Sequence, residues 1–347
     1  MHMADALLSP AVGATFWAGT IAAIGYASKK LKESIDDRMI PLMGVLGAFI
    51  FASQMINFTI PGTGSSGHLG GGMILTILLG PYAAFLVMAS VLTVQALFFA
   101  DGGLLALGCN IWNLGIYPCF IAFPFIYKPL AGDGKNTTKI LIAALVSGIV
   151  ALQMGAFSVV IETLLSGKSE LPFGTFVLLM QPIHLGIGIV EGFVTAGVIN
   201  YVRSVRPELL DSIVNARPLN AGVSLKKVLI SLSIIAVITG GALSWFASTN
   251  PDGLEWSIER VFGKPELPEQ EHGIAGTLKG VQEKTAFLPD YNFKQEKKEG
   301  EKKEEGPAAW PGIEAGTSVA GILGAFIVFG FSLVIGFGIK MFRRRHA

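Results

Sequence analysis

Apolar residues occupy this chain in long blocks separated by short polar turns. A helix needs ~20 residues to cross ~30 Å of hydrocarbon. Nine blocks read as spans on that scale, near residues 10–28, 41–59, 68–80, 82–100, 106–127, 139–165, 172–201, 227–248 and 317–341. The third is short and predicts a tilted or partly re-entrant helix. Ser9-Pro10 predicts the start of the first, as a side-chain cap followed by proline in the first turn. The pattern gives an all-α, polytopic membrane protein. Residues 1–202 form a seven-helix unit and 203–226 a polar linker. Residues 227–347 supply two more spans flanking a long hydrophilic segment, 249–315.

Basic residues orient the bundle. Lys29, Lys30, Lys32 and Arg38 follow the first span, and Lys128, Lys135 and Lys139 follow the fifth. Arg203, Arg206, Arg217, Lys226 and Lys227 follow the seventh, and Arg343 to Arg345 the ninth. The alternate loops at 60–67 and 101–105 hold none, and 166–171 holds only Lys168. The positive-inside rule then puts the N-terminus outside and the C-terminus in the cytoplasm of a prokaryotic cell, as an odd number of spans requires. Segment 249–315 falls outside, and its Lys294–Glu305 run reads as a solvated tether.

Composition agrees, with 51% hydrophobic residues, 15% charged and a mean hydropathy of +0.58. The net charge of +1 adds nothing beyond the loop distribution. Cys109 and Cys119 lie in one apolar block and read as small hydrophobes, not as a disulfide or metal pair. No positive n-region or small-residue cleavage site marks a removable signal, so Met1 is expected to stay. Without a Walker A sequence the chain is not expected to hydrolyse ATP. Basic residues sit at membrane edges without interleaved aromatics, which argues against nucleic acid.

Candidate chemistry begins at Met1-His2. The α-amine of Met1, the backbone nitrogen of His2 and its imidazole can close five- and six-membered rings on one cation, leaving a corner of a square plane open. A nitrogen plane suits Ni(II), Cu(II) or low-spin Co(II), not Ca²⁺ or Mg²⁺. Alone the pair is ordinary, since every chain starts with Met. His68, in the glycine-rich run Gly62–Gly72, lies on the same side of the membrane and can fill the fourth corner, oriented by Asp5, Ser65 or Ser66. Capping a helix end is the alternative role for it. His184 and Glu191 share a face of the seventh span, as a proton relay or as a packing pair. Gln54, Gln95, Gln153 and Gln181 read as interhelical hydrogen bonders.

Several of these segments together resemble the CbiM/NikM family, the metal-binding membrane components of energy-coupling-factor (ECF) importers for cobalt and nickel. They are Met1-His-Met-Ala-Asp-Ala-Leu-Leu-Ser-Pro10, Gln54-Met-Ile-Asn57, Ser66-Gly-His-Leu-Gly-Gly71, Gln95-Ala-Leu97, Asp101-Gly-Gly-Leu-Leu-Ala-Leu-Gly108 and Glu191-Gly192. The resemblance implies a terminus threaded into the bundle, with Met1, His2 and His68 holding the transported Co²⁺ or Ni²⁺. No permanent cofactor is implied. It also implies partners, a transmembrane coupling subunit and two ABC-type ATPase subunits, in supply of cobalamin synthesis or nickel enzymes. The C-terminal part is similar to the PDGLE/NikN-type small component through Pro251-Asp-Gly-Leu-Glu-Trp256 and Thr285–Phe293. Ser66-Gly-His-Leu-Gly-Gly71 stands where cobalt-type members carry Cys-Ser-His-Pro-Thr-Gly, a slight lean to nickel.

Two other readings use different residues. An intramembrane serine protease would take its nucleophile from Gly64-Ser-Ser-Gly67 and its base from His184, although the spacing around His184 fits poorly. A partner-independent channel or carrier would use His184 and Glu191.

Overall fold

The computed structural model describes residues 2–167, 172–214, 222–265, 267, 273–294 and 310–344. Met1, Lys168, Arg217, His272, Arg345, His346 and the Lys294–Glu305 run beyond Lys294 lie outside the described residues. Helix dominates what is described, and the fold is the expected all-α, multi-pass one.

The first helix, α1 (Pro10–Ser34), starts where the sequence predicts, with the Ser9 side chain accepting from Val12 N–H. Then come α2 (Met39–Gln54), α3 (Gly72–Leu79) and α4 (Pro81–Phe99). A continuous helix follows as α5 (Leu107–Ile111), a π-wound stretch (Trp112–Tyr127) and α6 (Lys128–Ala131). Pro118 and Pro124 lie in the π-wound part, where the wider turn accommodates rings that lack an N–H and crowd an ordinary α-turn. The next two, α7 (Thr137–Ser166) and α8 (Phe173–Val205), run antiparallel. They approach closely because Gly192 has no side chain; a Cβ there would stand 2.6 Å from the Leu145 Cα.

The C-terminal part begins after α9 (Pro207–Val214) with α10 (Lys226–Gly241) and ends with α13 (Ala315–Arg344). Between them lie the short helices α11 (Gly253–Phe262) and α12 (Gly273–Thr285). Both α10 and α13 pack on α2, so the two family-like parts share one helical body. Five described helices are long and apolar enough to cross a membrane: Pro81–Phe99, Leu107–Ala131, Thr137–Ser166, Phe173–Val205 and Ala315–Arg343.

The boundaries differ from the sequence pattern in two places. The second block was expected to reach residue 59 and the third to begin at 68. Instead α2 stops at Gln54, and β1 (Phe58–Thr59) pairs antiparallel with β2 (Ser66–Gly67). Helix resumes only at Gly72 as eight residues, about 12 Å of rise, too short to cross by itself. Glycines at 62, 64, 67, 70, 71 and 72 supply no side chains to favour a helix earlier. At the other break, α10 ends at Gly240-Gly241, and Leu243–Phe246 forms a tighter turn instead of completing the eighth block.

Charged side chains gather at one end of the bundle. Arg343 donates to the Ile35 carbonyl at 2.9 Å, and Lys340 pairs with Asp37 at 2.6 Å. Arg203 reaches Thr137 Oγ1 at 2.6 Å and also the Lys135 carbonyl. The N-terminal segment, the glycine-rich loop and α11 meet at the opposite end.

Candidate metal centre

Residues 3–8 run along the bundle as an extended strap and a single tight turn, Asp5–Leu7, with Ala4 exposed and Asp5 half-buried. Met3, Leu7 and Leu8 are fully or almost fully buried. Backbone bonds hold the strap in register: Met3 N–H donates to Asn110 Oδ1 (2.8 Å) and Gly103 N–H to the Met3 carbonyl (2.9 Å). Asp5 Oδ1 accepts from Ala106 N–H at 2.9 Å. Gly103 lets this loop close on the strap, since a Cβ would meet Asp5 Oδ1 at 1.8 Å. Asp5 is thus tied to the 101–106 loop.

The same strap delivers His2 to His68. Their rings stack with centroids 5.0 Å apart and planes inclined by 18°. His68 Nδ1 lies 3.0 Å from the Leu69 carbonyl. A carbonyl only accepts, so Nδ1 carries the proton and Nε2 keeps its lone pair for a metal. The orienting partner is thus a backbone carbonyl, not Ser65 or Ser66. Ser65 bonds Thr63, and Ser66 Oγ donates to the Asn250 carbonyl at 2.8 Å.

His2 Nδ1 is 2.9 Å from Asp101 Oδ1, while its Nε2 is buried without any hydrogen-bond partner. Asp101 Oδ2 accepts from the Tyr291 hydroxyl. Nδ1 is the ring nitrogen that closes a six-membered chelate with the backbone nitrogen of the same residue. In this arrangement Asp101 holds that nitrogen, and the orphan is the other one. The sequence quoted Asp101 only as part of a resemblance; nothing in its local spacing points to His2, 99 positions away.

The electrostatics follow from burial. His68 is pushed down to about 3, first by burial and then by neighbouring positive charge including His2, so it stays neutral. Burial pushes the Asp101 carboxyl up, but the His2 charge and the hydrogen bonds from His2 and Tyr291 outweigh it. The group is held well below the usual carboxylate range. Among the described residues no three His, Cys, Asp or Glu side chains are grouped to hold a metal.

Pro251-Asp-Gly-Leu-Glu255 closes the site from above, and each residue has a physical task. The Pro251 carbonyl accepts from Ser66 N–H at 2.8 Å, two residues from His68. Asp252 caps α11, accepting from Leu254 and Glu255 N–H at 2.8 Å each, and Glu255 reaches back to Asp252 N–H at 3.1 Å. That is a reciprocal capping box. Gly253 presses against α8, where a Cβ would meet Ile183 at 2.6 Å, and Leu254 is buried. The Asp-x-x-Glu spacing was a readable signal for this cap. Together the two parts enclose a cavity of about 580 Å³ whose lining includes His2, His68, Asp101, Asp252, Glu255 and Tyr291.

His184 and Glu191 are not a hydrogen-bonded pair. His184 Nδ1 bonds the Met180 carbonyl at 2.8 Å within its own helix. Glu191 Oε2 takes the Gly70 N–H at 2.7 Å and so holds the loop that carries His68. The glutamines do bridge helices: Gln95 donates to Gln54 at 2.9 Å, and Gln153 to the Gln181 carbonyl at 2.8 Å. Cys109 and Cys119 are buried free thiols. Ser65, Ser66 and His184 each bond elsewhere, so these three form no serine–histidine pair.

A family model for the cobalt uptake substrate-specific transmembrane region, CbiM, matches residues 2–209. The chain belongs to the CbiM family. A second model, for the PDGLE domain, matches residues 226–341 of this CbiM-family chain. The chain is 31% identical over 346 residues to the putative fused nickel transport protein NikMN of Archaeoglobus fulgidus, 99% of each chain. It is 28% identical over 218 residues to the cobalt transport protein CbiM of Sorangium cellulosum, covering 61% of this chain and 95% of that one. A crystal structure of a transition metal transporter superposes with a TM-score of 0.53 at 32% identity, over 61% of this chain and 97% of that chain. The chain is accordingly a transport component of this family, not an enzyme.

Proposed function

We propose that this chain is the substrate-capture component of an ATP-driven ECF-type importer for Ni²⁺ or Co²⁺. Met1, through its amine, His2, through backbone nitrogen and imidazole, and His68 Nε2 hold the ion. The observation that carries this reading is the buried strap, which seats His2 against His68 beneath the C-terminal segment. Capture strips water from the ion and draws His2 Nδ1 off Asp101; Nε2, now the orphan, becomes the protonated nitrogen. The match over 99% of the chain to a fused nickel transport protein and the Ser66-Gly-His-Leu-Gly-Gly71 loop favour nickel slightly, although other relatives are named as cobalt transport proteins.

In this reading residues 1–202 bind metal, 203–226 link, and 227–347 cover the site. The end rich in Lys and Arg faces the cytoplasm and the site faces outward, by the positive-inside rule. A transmembrane coupling subunit and two ABC-type ATPases act at the cytoplasmic end. The imported ion would serve cobalamin synthesis or nickel enzymes. The test is the metal content of the chain purified with an untouched N-terminus against a variant with one extra residue before Met1. The extension converts the terminal amine to an amide and is expected to abolish stoichiometric Ni²⁺ and Co²⁺. Equal metal in both preparations defeats the ligand set.

A further inference from the structure

One side chain of the C-terminal segment is linked to His2 of the ligand-bearing strap by hydrogen bonds. Tyr291 donates its hydroxyl to Asp101 Oδ2, and Asp101 Oδ1 faces His2 Nδ1 at 2.9 Å, an unbroken chain from the segment to the imidazole. Two observations indicate that this contact is built. Asp290 and Tyr291 both adopt left-handed backbone, with φ of 50° and 58°, a region that side chains other than glycine rarely occupy. The ring is wedged in an aromatic stack, 5.1 Å from Phe99 and 6.1 Å from Phe51 between centroids. Gln282, on α12, ties the same segment to the carbonyls of Ala96 at 2.8 Å and Gly102 at 2.7 Å, on either side of Asp101.

We propose that Tyr291 is a positioning residue for metal capture, fixing Asp101 so that this carboxylate orients the His2 imidazole and balances the charge of the captured dication. The proposal rests on His2 being a ligand. Before capture Asp101 Oδ1 holds the same His2 nitrogen that the chelate uses, so it presents the ring at the site, and its charge stays beside the ring once that nitrogen turns to the ion. Outer partners that place a metal ligand typically matter by roughly 10–100-fold in affinity. Asp101 itself has side-chain freedom to lose, and the Tyr291 hydroxyl removes it before the ion arrives. The small C-terminal part is therefore a working piece of the metal centre, not only its cover.

The experiment is a double-mutant cycle on the full chain with its own N-terminus, titrated with Ni²⁺ alone and followed by the visible d–d absorption. Tyr291→Phe keeps the ring and its stack and removes only the hydroxyl. It is expected to weaken Ni²⁺ roughly tenfold while leaving the band position unchanged. Asp101→Asn is expected to weaken it by a similar or larger factor, and the double variant to be within about twofold of Asp101→Asn. If Tyr291→Phe binds like wild type, or costs the same factor again in the Asp101→Asn background, Tyr291 acts by packing alone and the proposal is overturned. Should Tyr291→Phe not fold, wild-type affinity in Asp101→Asn overturns it equally. His2→Ala is run alongside: unchanged binding there sinks the ligand set itself, whereas its loss with a silent Tyr291→Phe sinks only the positioning role.

Discussion

His68 illustrates how burial fixes the charge state of a histidine. A free histidine titrates near 6.5 and must lose a proton to bind metal at mildly acidic pH. Here burial keeps the ring neutral down to about 3. The same shift has a stability consequence whose sign is fixed. Between pH 6.5 and about 3 the unfolded chain takes up a proton at this residue and the folded chain does not. Folding stability therefore falls as pH falls, by ~1.4 kcal/mol per pH unit at most for one group. Thermal melts of wild type and His68→Gln at pH 6.5 and pH 4 should show a smaller acid loss for the variant; parallel losses would contradict the buried neutral ring. At this scale the sequence showed His2 and His68 as candidates, but not Asp101, whose link to His2 depends on a strap threaded into the bundle.

Helix α3 and its preceding loop are held from another element. Its N-terminus begins at Gly71, which has no side chain to cap it, and no side-chain cap is formed locally. Glu191 of α8 supplies the acceptor instead, at the Gly70 N–H. A carboxylate at a helix N-terminus also meets the positive end of the dipole. Removing it by Glu191→Ala leaves buried donors unsatisfied, a cost of about 1–3 kcal/mol, and loosens the loop that bears His68. A lower melting temperature together with weaker Ni²⁺ binding is expected. Weaker stability with affinity intact would detach the loop's metal role from this anchor. Helical periodicity had shown that His184 and Glu191 share a face, yet periodicity does not say what that face meets. In the fold Glu191 meets backbone N–H groups, and His184 bonds within α8.

The molecule as a whole couples two family regions through one helical body. The α13 helix lies along α2 and α10, and a Cβ on Gly321 would stand 2.2 Å from the Gly240 carbonyl. That contact leaves the segment between α10 and α13 folded over the end of the bundle where His2 lies. If the chain only captures metal and separate ATPases drive release, vesicles carrying this chain alone will bind Ni²⁺ without concentrating it. Uptake should appear only when the coupling subunit and ATPases are added with ATP. Accumulation by the chain alone would instead favour a channel or carrier.

The sequence by itself determined the all-helical membrane architecture, because apolar blocks of bilayer length leave the backbone no other way to satisfy its hydrogen bonds. It determined the separation of basic from non-basic loops, and it marked Met1, His2 and His68 by their chemistry. It did not place the helix ends around 54–72, where glycine and serine carry little local preference and pairing with residues 250–252 decides the path. Nor did it reveal the chain from Tyr291 through Asp101 to His2, or the anchor from Glu191 to Gly70. Those contacts join residues about 100 or more positions apart, and no local propensity encodes such a distance. They exist because burying a strap, a loop and a cap at one end of the bundle makes unpaired polar groups costly, so most of those there are paired across the fold.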